Sequence, residues 1–234
     1  MIPKILHYCW FGGKPKPPLV RRCIASWKRH CPDWQLIEWN EGNFDTNQNG
    51  YTRMCIREGR YAFLSDYVRL WAVEAYGGVY LDTDVELLGP MEDLLLEEAF
   101  FGFETRQYVA TGLGFGSVAG GRAVTAMLRA YDPFLDGTRG VQPCPGLNTA
   151  ALVSLGLVPD GSTQRVAGAL ILPPEVLNPM DSATGRVHLT ANTRSIHHYA
   201  ALWLSRRKRL RLFFTRPIHR IFGEDCLQWL KRKF

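Results

Sequence analysis

The stretch Arg60–Leu88, RYAFLSDYVRLWAVEAYGGVYLDTDVELL, constrains this chain more than any other, because it sets dense polar chemistry inside apolar sequence. Leu64, Val68, Trp71 and Ala75 recur at helical spacing, and Phe63, Tyr67 and Leu70 widen the stripe. This pattern predicts a helix over Ala62–Val73 that is buried on most sides. Asp66 and Arg69 are the only charges in that segment, and at i, i+3 they share a face. Two readings stay open. The pair holds the helix to a sheet as a buried ion pair, which stabilises weakly once desolvation is counted, or it grips hydroxyls and a phosphate.

A diglycine (Gly77, Gly78) follows, then Val79, Tyr80 and Leu81, which read as a short buried strand, then Asp82-Thr83-Asp84. Ligands of α/β sheets bind outside the carboxyl ends of strands, where these two acids fall. At i and i+2 a continuing strand points both side chains the same way, and the charges repel unless a cation compensates them. Hard oxygen ligands suit Mg²⁺ or Mn²⁺. The bland alternative is a solvated turn carrying two acids.

Composition narrows the partners. The net charge of +6 is uneven: residues 206–234 hold ten Lys/Arg against two Asp/Glu, which leaves 18 basic and 20 acidic residues in 1–205. The basic balance therefore belongs to the tail, and a nucleic-acid partner is not expected. Six cysteines (Cys9, Cys23, Cys31, Cys55, Cys144, Cys226) show no metal-ligand spacing and read as reduced thiols. Neither a signal peptide nor an apolar run of membrane-spanning length is visible, so a cytoplasmic protein is expected. The segment after Arg206 interleaves Arg206-Arg207-Lys208-Arg209 and Arg211 with Leu210, Leu212, Phe213 and Phe214. It reads either as a peripheral contact with the anionic inner face of a membrane or as a docked helix with solvated charges.

Taken in order, Ile2–Trp10 predicts a first strand, Leu19–Arg29 a helix and Trp34–Trp39 a second strand, a β-α-β opening that favours a parallel sheet. Residues 40–50 read as a turn and a polar loop. Further strands are expected at Val85–Leu87, Ala99–Glu104 and Ala169–Leu172, with helices at Arg122–Tyr131 and Asn148–Leu155. Thr111–Gly116 alternates small and apolar residues, as where backbone approaches a ligand or strand closely. Asp132–Pro145, rich in proline and glycine, reads as a mobile loop on the acceptor side. Ser195–Tyr199 carries adjacent histidines, His197 and His198. Neighbours on a strand face opposite ways, so one faces the acids and the other packs, and a neutral imidazole suits Mn²⁺ as a third protein ligand.

Ser65-Asp66-x-x-Arg69 with Gly77-Gly78-Val79-Tyr80-Leu81-Asp82-Thr83-Asp84 resembles glycosyltransferase family 32, whose members carry a DXD sugar-binding region. The opening Ile2-Pro3-Lys4-Ile5-Leu6-His7-Tyr8-Cys9-Trp10-Phe11-Gly12-Gly13 is similar to its bacterial members. So are Ile37–Asn40, Thr111–Gly116 and Ser195–Tyr199. The resemblance spans roughly residues 2–204, and the family is related to the clostridial glucosylating toxins. It implies an α/β fold of GT-A type with a mostly parallel central sheet in residues 1–205, and the change in composition at Arg206 sets off the basic tail as a separate segment, 206–234. It implies retention at the anomeric carbon, a nucleotide-diphosphate sugar donor and a glycan or lipid-linked acceptor, with a role in bacterial surface polysaccharide synthesis. Trp10 would stack on the base, Tyr80 would support the donor and Trp203 would cover the diphosphate. Asp66 would hold sugar hydroxyls, Arg69 would add positive charge near the phosphates, and Asp82 and Asp84 would hold the metal. Spacing to Trp203 in the toxin relatives favours His198 over His197 as the third ligand. Two rivals remain: a haloacid-dehalogenase-type phosphatase built on Asp82-Thr83-Asp84, and a non-enzymatic module that binds anionic surfaces through the tail.

Overall fold

The computed structural model describes residues 1–201 and Thr215. Strand β1 (Ile5–Cys9), helix α1 (Pro18–His30) and strand β2 (Gln35–Trp39) form the expected β-α-β unit, with β1 and β2 parallel. Proline opens α1 where its missing N–H costs nothing, and Lys28, Arg29 and His30 sit at the negative end of the helix dipole. The polar loop then leads into a helix whose apolar residues, Tyr51, Met54 and Cys55, span too few turns to stand out in the sequence, α2 (Gly50–Arg57). Its mark is a cap instead: the Asn49 side chain accepts from the Thr52 N–H at 2.9 Å, and Thr52 Oγ1 accepts from the Asn49 N–H at 3.4 Å.

Helix α3 (Tyr61–Tyr76) buries Leu64, Val68 and Leu70 completely, whereas Ala75 is exposed, so the stripe runs out one turn before the helix does. Gly77 ends α3 at φ +65°, and β3 (Gly78–Tyr80) follows, parallel to β1. A Cβ on Gly78 would stand 2.6 Å from the Ile5 carbonyl oxygen, so the two backbones approach this closely only at glycine. His7 on β1 is fully buried: Nε2 meets the Gly77 carbonyl oxygen at 2.8 Å and Nδ1 accepts from Trp39 Nε1 at 3.1 Å. Burial lowers its pKa, so a neutral ring ties β1, β2 and the end of α3 together.

The chain continues through β4 (Val85–Leu87), β5 (Ala99–Gly102), β6 (Phe115–Ser117), α4 (Arg122–Arg129), α5 (Cys144–Val153), β7 (Gln164–Val166), β8 (Ala169–Leu172), α6 (Pro174–Leu177) and β9 (Ser195–His197). Among the described residues seven strands form the main sheet, in the order β2-β1-β3-β6-β5-β8-β7. Five of them run the same way and β6 and β7 run against them, so the sheet is mostly parallel. Alternation splits the core. Tyr80 and Phe101 pack with α2, α3, α4 and α5 on one face, while Val79, Leu81 and Phe100 pack toward α1 on the other. Strands β4 and β9 pair outside the main sheet as an antiparallel ribbon with Val85 opposite His197. Trp27 Nε1 donates to the Val85 carbonyl at 2.8 Å and the Leu87 N–H donates to Ser26 Oγ at 2.9 Å, which fastens that ribbon to α1.

The five described cysteines are buried free thiols. No helix among the described residues is long and apolar enough to cross a membrane. Trp203 and the basic segment 206–234 lie outside the described residues, apart from Thr215.

Candidate active site

The strand carrying the acid pair stops at Tyr80, and the chain turns rather than continuing extended: the Val85 N–H donates to the Asp82 carbonyl at 2.9 Å. The turn still brings the acids together. One ligand atom each from Asp82, Asp84 and His197 lie within 4.8 Å of one another. Asp84 Oδ1 is 3.1 Å from His197 Nε2, and its Oδ2 accepts the Ala200 N–H at 2.8 Å. Burial pushes the Asp84 carboxyl up, but the His197 ring and these hydrogen bonds outweigh it and bring the pKa down to about 2. In return, burial lowers His197 and the Asp84 charge outweighs it, holding the ring above its usual value of 6.5.

The adjacent histidines divide as strand alternation requires, but the choice between them is reversed from the spacing argument. His197 meets the acids, whereas His198 turns to Glu86, with Nε2 to Oε2 at 2.8 Å, beside the Arg22 guanidinium. His198 would share Asp84's face if the strand ran on through Asp84. Because Asp84 lies in the turn before β4, its side chain swings to the face of His197.

Behind the acids the pair read from α3 becomes a chain of three. Arg69 Nη2 lies 2.9 Å from Asp66 Oδ1 and 2.9 Å from Asp82 Oδ1, with the guanidinium 3% exposed as a residue. Its Nη1 reaches Thr111 Oγ1 at 3.3 Å and Cys144 Sγ at 3.5 Å. The donors of Arg69 are thus turned inward onto Asp82, and a direct grip on phosphate is not what its side chain is set to make. Burial raises Asp66, despite Arg69, to about 6, and raises Asp82 as well. Tyr80 is 1% exposed, donates to Asp82 Oδ1 at 2.9 Å and lies under Arg69, 5.0 Å from ring to guanidinium. Its place is therefore behind Asp82, not against a donor.

The glycine-spaced segment is the other wall. A Cβ on Gly112 would stand 2.5 Å from Asp82 Oδ2, so the close approach expected for Thr111–Gly116 is made to the acid itself. Thr111 and Asn148 complete the support, with Asn148 Nδ2 donating to Thr111 Oγ1 at 2.9 Å. Asn148 and Cys144 carried no sequence signal, since isolated small polar residues in a helix are common everywhere, whereas Thr111 opens the run already singled out. Trp10, half-buried just past β1, has its Nε1 on the Lys14 carbonyl at 2.7 Å and the Lys16 ammonium 5.5 Å above its ring.

The residues present fit a divalent cation. Oδ2 of Asp82 has no hydrogen-bond donor among the described residues, and His197 Nδ1 is buried without a partner. Two carboxylates and an imidazole are the donor set that Mn²⁺ or Mg²⁺ accepts, with imidazole tilting the choice toward Mn²⁺. The phosphatase rival loses ground here, because Asp82 is already engaged by Arg69 and Tyr80 and no lysine is among its partners in the described residues.

The fold is that of GT-A glycosyltransferases, with the acid cluster at the carboxyl end of β3. Residues 17–101 match the family described as glycosyltransferase sugar-binding region containing DXD motif, and Asp82-Thr83-Asp84 lies within the match. The chain carries that region, in agreement with the family 32 resemblance. No curated protein sequence matches it. Among solved structures it is similar to the PaToxG glycosyltransferase, at TM-score 0.52 and 18% identity over 65% of this chain and 69% of that one. It is also similar to a glycosyltransferase involved in glycosylation of the major capsid of PBCV-1, at TM-score 0.50 and 13% identity over 89% of this chain and 98% of that one. At these identities the likeness is one of fold.

Proposed function

We propose that this glycosyltransferase moves a hexose, with retention, from a nucleoside-diphosphate sugar to a glycan or lipid-linked hydroxyl acceptor in the synthesis of a bacterial surface polysaccharide. The observation that carries the reading is the convergence of Asp82, Asp84 and His197 within 4.8 Å at the carboxyl end of β3, on a fold of glycosyltransferase type. These three side chains would hold a divalent cation, Mn²⁺ in preference, which would supply Lewis-acid compensation for the charge that grows on the departing diphosphate.

The rest is the work of the chain. Arg69 and Tyr80 fix Oδ1 of Asp82 while Gly112 lies against Oδ2, which has no hydrogen-bond donor among the described residues, so the carboxylate is held in orientation before any ligand arrives. Asp66, the far member of the buried chain, is the group offered to sugar hydroxyls. The Trp10 ring beside the carboxyl end of β1 offers a face for the base, a contact worth roughly 1–3 kcal/mol in stacking. In this reading the tail after Arg206 rests on the anionic inner face of the cytoplasmic membrane.

The test is hydrolysis and transfer of UDP-glucose, UDP-galactose and GDP-mannose, each with and without Mn²⁺, by the wild type and by Asp82→Asn/Asp84→Asn. We expect metal-stimulated turnover of at least one donor in the wild type and none in the folded double variant. Undiminished metal-stimulated turnover in that variant would overturn the site. Removal of residues after Arg206 is expected to abolish sedimentation with anionic vesicles and to leave soluble-donor hydrolysis intact.

A further inference from the structure

One cleft next to the acid cluster is left without a role by the donor and the metal. It measures about 390 Å³ and is lined by Glu104, Tyr108, Gln142, Pro143, Pro145, Gly146 and Leu147. One wall is a tight loop after β5, closed by the Glu104 N–H donating to the Tyr108 carbonyl at 2.7 Å. The other wall is the start of α5, whose first residue, Cys144, touches Arg69 behind Asp82. The two walls are joined at their base, because the Val109 N–H donates to Thr149 Oγ1 on α5 at 2.9 Å.

Both walls lead to the reaction centre. The Glu104 carboxylate faces the Tyr199 hydroxyl and lies within electrostatic reach of His197, whose ring sits 4.3 Å from that of Tyr199. The α5 wall runs through Cys144 to Arg69, Asp66 and Asp82. The lining itself is mixed in one particular way: a half-exposed tyrosine, two prolines, a glycine and a leucine, with one carboxylate and one amide. A flat apolar wall with a few convergent acceptors and donors suits a sugar ring, which offers C–H bonds on one face and hydroxyls around its rim. A nucleotide base would meet no cation here, and its diphosphate would meet Glu104.

We propose that this cleft is the acceptor subsite. It takes a pyranose ring of the acceptor glycan on Tyr108, with rim hydroxyls on Glu104 and Gln142, and so presents the reacting hydroxyl toward the cation site. Its volume is near the lower end of the roughly 300–1,000 Å³ of small-molecule sites, enough for about one or two sugar rings. This rests on the glycosyltransferase reading above, and Tyr108 belongs to neither the cation ligands nor the donor groups.

The experiment uses the full chain with Mn²⁺ and whichever donor it hydrolyses, and titrates methyl glucosides, galactosides and mannosides as acceptor probes. In the wild type we expect at least one methyl hexoside to divert sugar from water with saturation. In Tyr108→Ala the half-saturating hexoside concentration should rise tenfold or more, with donor hydrolysis and donor KM within twofold of wild type. Gln142→Ala should act in the same direction by a smaller factor. Saturation-transfer NMR with the same hexosides reads binding without turnover, and the signal should be lost in Tyr108→Ala. The proposal fails if the Tyr108→Ala half-saturation and NMR signal are unchanged, or if a donor-hydrolysing wild type neither binds nor uses any hexoside. Failure of the wild type to hydrolyse any donor would instead strike the underlying glycosyltransferase site, while hexoside binding would still be read by NMR.

Discussion

Gly112→Ala is the substitution that most directly probes how Asp82 is held. The new Cβ would lie 2.5 Å from Asp82 Oδ2 and 3.4 Å from Arg69 Nη1. That is roughly 1 Å inside ordinary van der Waals contact, and the carboxylate cannot turn freely to relieve it. Its other oxygen is held at 2.9 Å by both Arg69 and Tyr80. Gly112 itself is not in the left-handed region, so alanine brings no backbone strain and the perturbation falls on the acid. Overpacking of this kind costs about 1–3 kcal/mol of stability, which a chain of this size tolerates. A displacement of about 1 Å at a group that orients the reaction costs on the order of 10²-fold in rate, or about 2.7 kcal/mol. The assay is steady-state donor turnover against Mn²⁺ concentration, with thermal unfolding as the folding control. Gly89→Ala, whose Cβ meets nothing within 4 Å, is the matched neutral change. Wild-type kcat and metal dependence in a folded Gly112→Ala protein would refute the argument that Asp82 is pre-positioned by contact on both its oxygens.

Three further outcomes follow from the same geometry. Arg69→Met leaves the Asp66 and Asp82 carboxylates buried without their cation and should cost about 3–5 kcal/mol in urea unfolding, part of which Asp66→Asn added to it should restore. His197→Ala should weaken Mn²⁺ binding, read by calorimetry, by about tenfold or more, whereas His198→Ala, whose ring faces Glu86, should change it less than about threefold. The pair of Asp84, at about 2, and His197, above 6.5, stabilises the metal-free protein fully between about pH 4 and 6.5. That contribution should fade as pH rises through the elevated histidine pKa and again as it falls toward 2. Mn²⁺ competes with the His197 proton, so the Tm gain on adding Mn²⁺ should grow over the same alkaline interval, and a pH-independent gain would speak against His197 as a ligand.

The parts of this site that could be read from sequence are those where one physical requirement leaves few residue types to choose from. Gly78 must be glycine because β3 presses on β1, Gly112 because the loop presses on Asp82, and a charged pair inside an apolar helix must meet a partner. Each requirement is local, or local on both sides, and so leaves a mark in composition. What escaped was set by side-chain direction at a turn. The rule of alternation separated His197 from His198 correctly, yet which of them faces the acids depends on whether Asp84 belongs to the strand, and the chain leaves the strand at Tyr80, before either acid. Helix α2 escaped for a related reason: the i, i+3, i+4 spacing of Tyr51, Met54 and Cys55 lasts barely two turns, and the Asn49–Thr52 cap that starts it is carried by two small polar side chains in a polar loop. The same logic explains Tyr80. A tyrosine just ahead of two acids reads as a ligand contact when only proximity is counted, but a buried phenol must find an acceptor, and the nearest one is the carboxylate two residues on. Its hydroxyl therefore acts on chemistry through the orientation of Asp82. Tyr80→Phe should accordingly lower kcat while leaving donor KM near wild type, and a change confined to KM would return Tyr80 to the donor.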